Sequence, residues 1–105
     1  MSEIIGKWQQ PEGERFPGLY FEFFPDGKFR AAFDEMGITS SGTYTAADGL
    51  IDLDQTQHTV GVLGKFEGRY QIKGDTLIMA LSDPFHLRPE SLEHKNKRHY
   101  KKVVE

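Results

Sequence analysis

The residues with chemical potential crowd into one stretch, HLRPESLEHKNKRHYKK, residues 86 to 102. It holds three of the four histidines and six of the thirteen lysines and arginines, in a chain of formal charge −3. His86, His94 and His99 suggest a metal site first, with seven and four residues between them and His58 far away. Zinc catalysis wants two ligands on one rigid element plus a third, as in His-x-x-x-His on a helix, and that spacing is absent. They read as exposed loop and strand histidines. Lys95, Lys97, Arg98, Lys101 and Lys102 could instead meet phosphates, with Tyr100 or Phe85 stacking on bases. Lysines on an outer strand face more simply discourage edge pairing, and the rest of the chain is acidic. Asp52 and Asp54 are the one pair of carboxylates sharing a strand face. Ile51 and Leu53 take the other face, so both acids point to water, where nothing perturbs a general acid. Ser40-Ser41 and Ser82-Asp83 lie near no recognisable base, and the chain is read as no enzyme.

The elements that must position these residues are strands. In LYFEFFPDGKFRAAFD, residues 19 to 34, two aromatic-rich runs flank Pro25-Asp26-Gly27-Lys28, where Pro presets φ and Gly accepts a positive one. The segment predicts a hairpin with Leu19, Phe21 and Phe23 facing Phe29, Ala31 and Phe33. The same grammar repeats. ITSSGTYTA (38 to 46) turns at Ala47-Asp48-Gly49 into LIDLDQ (50 to 55), and VLGKFEGRYQI (62 to 72) turns at Lys73-Gly74-Asp75 into TLIMAL (76 to 81). Inward positions in the second pair are Phe66, Tyr70, Ile72, Leu77, Met79 and Leu81. With IIGKWQQ at the start and KRHYKKV (97 to 103) at the end, the prediction is an all-β antiparallel meander of about eight strands. Closing such a meander into a barrel removes its exposed edges. QPEGERFPG (10 to 18) and SDPFHLRPESLEHKN (82 to 96) read as loops.

Bulk composition narrows the classes. The 105 residues predict one domain, residues 1 to 105, with a modest core. Residues 1 to 85 carry 7 Lys/Arg against 13 Asp/Glu, whereas residues 86 to 102 carry 6 against 2. A dedicated nucleic-acid binder would be basic overall, so no nucleic-acid partner is expected. Without cysteine there is neither a disulfide framework nor a thiolate metal site. The N-terminus MSEIIGKWQQ has no basic n-region or apolar h-region, and no run approaches a membrane span, so a cytoplasmic protein without a membrane partner is expected.

Gly6-Lys7-Trp8 at the start of the first strand resembles the Gly-x-Trp of calycins, the superfamily of lipocalins and fatty-acid-binding proteins. FFPDGKF, GTYTAADGLIDL, GRYQIKGDTLIMAL and LRPESL…HYKKV together resemble the small bacterial lipocalin-like domains, across most of the chain. That resemblance implies a small lipocalin-like β-barrel with Trp8 plugging one end. The helix and disulfides of full-length lipocalins are absent. In the fatty-acid-binding branch the last strand carries an Arg-x-Tyr pair that grips a ligand carboxylate, and Arg98-His99-Tyr100 is similar to it. A guanidinium and a phenol two residues apart share one strand face and can hold an anion. The helical lid of that branch has no counterpart between the first two strands.

The expected ligand-binding residues are therefore Trp8, Phe21, Phe23, Phe29, Phe33, Tyr44, Tyr70 and Met79, with Arg98 and Tyr100 for a carboxylate. Thirteen aromatics in so short a chain can also fill the centre, because eight-stranded barrels are just narrow enough for side chains to pack it. A mostly filled barrel with a small pocket at one mouth is expected. A binder should show an apolar pocket on the order of 300 Å³ or more with a few convergent polar groups. The leading expectation is a non-catalytic domain binding a small hydrophobic or carboxylate-bearing molecule without a cofactor. The alternatives are a protein-interaction module with a filled barrel and, third, an enzyme of unrecognised type. Monomer and homodimer both remain open.

Overall fold

Alternation of apolar and polar residues at period two gives each strand one face for a core, and tight turns pair each strand with the next. A computed structural model describes residues 4 to 61, 63 to 83, 87 to 93 and 96 to 103. Its strands are β1 (Gly6–Gln9), β2 (Tyr20–Phe23), β3 (Lys28–Phe33), β4 (Ile38–Ala47), β5 (Leu50–His58), β6 (Gly64–Lys73), β7 (Thr76–Leu81) and β8 (Lys97–Lys102). All neighbours are antiparallel and the order is that of the chain, with β1 meeting β8 to close the barrel. A 3₁₀ turn, Asp34–Met36, links β3 to β4. β5 is three residues longer than the alternation suggested. Its polar end, Thr56 to His58, is held by pairing to Ser40 and Ser41 of β4, not by burial.

Local chemistry explains the turns. Asp48 and Gly49 both have positive φ, 54° and 80°, as a two-residue hairpin loop between right-twisted strands requires. At the Phe24–Lys28 turn the Asp26 carboxylate accepts the Lys28 amide at 3.1 Å. The β4–β5 pairing shifts register between Ser41 and Gly42, and this bulge bends β4 around the barrel. A Cβ on Gly42 would stand 1.9 Å from the Asp54 carbonyl oxygen, so only glycine lets the two strands approach this closely.

The inward faces of six strands meet in one core of Trp8, Phe23, Phe29, Ala31, Ile51, Leu53, Leu77, Met79 and Tyr100, joined by Ile4, and β4 and β6 pack Tyr44, Ala46, Phe66, Tyr70 and Ile72 against it partly buried. Trp8 is buried at the end where the chain enters β1. Its indole N–H donates to the Ile4 carbonyl at 2.8 Å, and the Lys102 ammonium lies 5.1 Å from its ring. Further along the axis Phe23 meets Tyr44 edge-on at 4.9 Å, and Phe21 stacks on both Phe23 and Phe29. The Trp8 end is thus packed with buried aromatic rings.

Phe33 shares the inward register of Phe29 but lies outside this core, where it packs edge-on against Phe16 of the β1–β2 loop at 6.0 Å. Removing a fully buried ring leaves a cavity, so Phe29→Ala should cost about 3–5 kcal/mol in urea unfolding. Phe33→Ala should cost less than half as much.

Candidate functional site

The barrel differs sharply at its two ends because β1 is short. It pairs with β8 only through Trp8 with Lys102 and Gln9 with Lys101. Beyond Gln9 the chain leaves the sheet as the loop of residues 10 to 19, while β8 continues to Lys97 paired to β7 alone. The flank of β8 is therefore served by the loop in place of a strand. The Glu14 carboxylate accepts the His99 backbone N–H, and the His99 Nδ1 lies 3.5 Å from it. The base of the loop is closed by Gln10 N–H to Leu19 C=O at 2.8 Å and Gly18 N–H to Gln10 C=O at 2.9 Å.

Between this loop and β8 opens a pocket of about 580 Å³. Phe16, Leu19, Phe21, Phe66, Met79 and Leu81 supply its apolar wall. Gln10, Arg15, Asp83, Asn96, Arg98 and Tyr100 supply the polar groups. Phe21 forms part of the floor and meets the Tyr100 ring edge-on at 5.7 Å. Period two puts Arg98 and Tyr100 on one face of β8, and both reach this pocket. Arg98 Nη1 also donates to the Lys97 carbonyl at 2.8 Å.

Of the residues singled out from sequence, Phe21, Met79, Arg98 and Tyr100 line the mouth pocket. Trp8, Phe23, Phe29 and Tyr44 lie toward the opposite end, where the Tyr44 hydroxyl donates to the Phe24 carbonyl at 2.9 Å. Phe33 is at the rim. Tyr70 packs partly buried against the core and also borders a groove of about 920 Å³ by the β4–β5 turn, walled by turn backbone and by exposed side chains such as Gln71 and Glu90. That groove is larger, but it lacks a convergent set of buried polar groups. Gln10, Arg15 and Phe16 carry no sequence signal, because an irregular loop has no period that aims its side chains.

The basic stretch is dispersed by the same alternation. Lys97 and Lys101 face outward, paired with Glu93 at 2.9 Å and near Asp75 at 3.5 Å, whereas Arg98 and Lys102 face inward at opposite ends. His86, His94, Phe85 and Lys95 lie outside the described residues. Among the described residues no cluster of three or more His, Asp or Glu side chains is placed to hold a metal. Nor is any helix long and apolar enough to cross a membrane. Asp52 is engaged by Arg88, whose Nη2 donates to it at 2.6 Å while Nη1 serves the Ile51 and Gly68 carbonyls at 3.2 and 2.7 Å. Arg88 thus holds its loop against the outside of β5 and β6.

Burial pushes the Tyr100 hydroxyl up from 10.0 to about 12; the nearby Gln10 amide and Arg98 guanidinium oppose the rise, and Glu14 adds to it. The pocket therefore presents a protonated phenol at neutral pH. Between pH 10 and 12 the unfolded chain loses this proton before the folded one does, so stability is full below pH 10 and falls as pH rises. The decline should approach about 1.4 kcal/mol per pH unit. Urea unfolding of Tyr100→Phe and the parent chain across pH 9 to 12 should show the steeper decline in the parent, with Tyr44, also raised by burial and by Asp26, contributing alike to both.

No protein-family model, curated protein or solved structure matches the chain.

Proposed function

We propose that this chain is a non-catalytic domain of the small bacterial lipocalin-like kind that holds a small amphipathic molecule in the mouth of its barrel. One observation carries the reading: a single pocket of about 580 Å³ joins an aromatic and aliphatic wall to two guanidinium groups. Such a cavity, mostly apolar with a few convergent polar groups, is the usual form of a small-molecule site. The apolar part of a ligand would cover Phe21, Phe66 and Met79, with burial contributing about 25 cal/mol for each Å² removed from water. Its acidic end would meet Arg98 and Arg15, which can grip a carboxylate through paired N–H donors.

The second reading, a protein-interaction module, is favoured by the loops at the same barrel end. Met36, Val60 and Leu63 are 65, 69 and 52 % exposed there. An apolar fringe of this kind suits a partner surface.

The neutral fluorescent probe N-phenyl-1-naphthylamine should bind saturably, and nonanoate should displace it. In Arg98→Ala the preference for nonanoate over that probe should fall about tenfold or more, as expected for loss of a charge-assisted hydrogen bond. Probe binding that never saturates would sink the ligand reading and leave the interaction module.

A further inference from the structure

Glu14 and Arg15 are neighbours in the chain, yet the loop sends their charges to different places. The Glu14 carboxylate is committed to the His99 backbone N–H. Arg15 is exposed at the rim of the mouth pocket and forms no ion pair among the described residues. Its guanidinium carbon lies instead 5.5 Å from the centroid of the Phe16 ring. That ring is anchored, since the Phe16 N–H donates to Gln10 Oε1 at 3.0 Å and the ring sits edge-on to Phe33 at 6.0 Å. A guanidinium over an aromatic face keeps its N–H donors in its own plane, where the ring does not block them. Arg98 lines the same pocket from β8, but its Nη1 already donates to the Lys97 carbonyl at 2.8 Å. Loop and strand thus each bring one guanidinium to the mouth, and the loop's is the less committed.

A carboxylate presents two oxygens, which one guanidinium fork engages side by side. A second guanidinium at the same mouth is better matched by a head with a third terminal oxygen. We propose that the ligand of this pocket is an amphiphile whose head carries one charge on three terminal oxygens, as in an alkyl sulfate or sulfonate, and that Arg15 selects this head over a carboxylate. The inference rests on the ligand-binding reading above and deepens it. The lining side chains carry two positive charges, Arg15 and Arg98, and one negative, Asp83, so a singly charged head leaves the mouth neutral. A phosphate monoester, close to doubly charged at neutral pH, would leave it negative. Because Arg15 stands at the exposed rim, the head is held at the opening and the tail runs inward over Phe21, Phe66 and Met79.

Displacement of N-phenyl-1-naphthylamine by octyl sulfate and by nonanoate compares two heads of equal charge on tails of equal length. In the parent chain octyl sulfate should compete about tenfold better, as expected for an added charge-assisted hydrogen bond. 1-Octanesulfonate should match octyl sulfate, since it shares the three oxygens. An advantage confined to the sulfate ester overturns the proposal, because it would then come from the ester oxygen. In Arg15→Gln the advantage over nonanoate should drop below about threefold, while nonanoate displaces the probe nearly as before. An advantage that survives this substitution overturns the proposal. So does an equal loss for both heads, which would make Arg15 a general anion contact or a support of the loop. Equal competition by octyl sulfate and nonanoate in the parent chain overturns it without any variant and leaves the pocket reading intact. Failure of the probe itself to bind overturns the pocket reading and this proposal together.

Discussion

Phe21 holds the architecture together because it belongs to the core and to the pocket at once. It stacks on Phe23 at 5.9 Å and on Phe29 at 6.3 Å, and it meets Tyr100 of β8 edge-on across β1. Aromatic pairs in such geometry contribute about 0.5–1.5 kcal/mol beyond the area they bury. On the Trp8 side of this ring lie the fully buried side chains of Phe23, Phe29 and Trp8, and on its other side lies the mouth pocket.

The polar groups of the mouth depend on a second constraint, the shortness of β1. Had β1 run the full height of β8, backbone pairing would have occupied the flank that Glu14 now serves, and the 10–19 loop would have been a tight turn. The loop brings Arg15 and Phe16 over the opening and draws Gln10 inward. Polar groups that would be costly in a filled barrel are thereby collected at one end.

Much of this was legible in the chain. The hairpins could be read because alternation and turn chemistry agree at Phe24–Lys28, Asp48-Gly49 and Gly74-Asp75, where local signals suffice. Arg98 and Tyr100 could be placed on one face for the same reason, since a period of two needs no tertiary knowledge. What could not be read was convergence across the fold. Gln10 meets Tyr100 only because β1 and β8 close the barrel, and Arg88 meets Asp52 across 36 positions of sequence. Phe33 obeys the alternation yet leaves the core, because its strand ends there and the next ring along is Phe16. The end of β5 was hidden differently, since its polar residues are strand by virtue of their partner alone.

The chain-order topology also has a kinetic side. Seven of the eight strand pairings join neighbours in sequence, and these can zip together locally with little loop entropy to overcome. The eighth, β1 with β8, joins the two ends of the meander through two residue pairs. It is the contact that local order cannot supply in advance, so ring closure falls late in folding and reopens early in unfolding. The first line of opening then runs beside His99 and Glu14, along the border of the mouth. The least cooperative part of the molecule and the pocket at its mouth share one edge, so an opening there leaves the other seven pairings undisturbed.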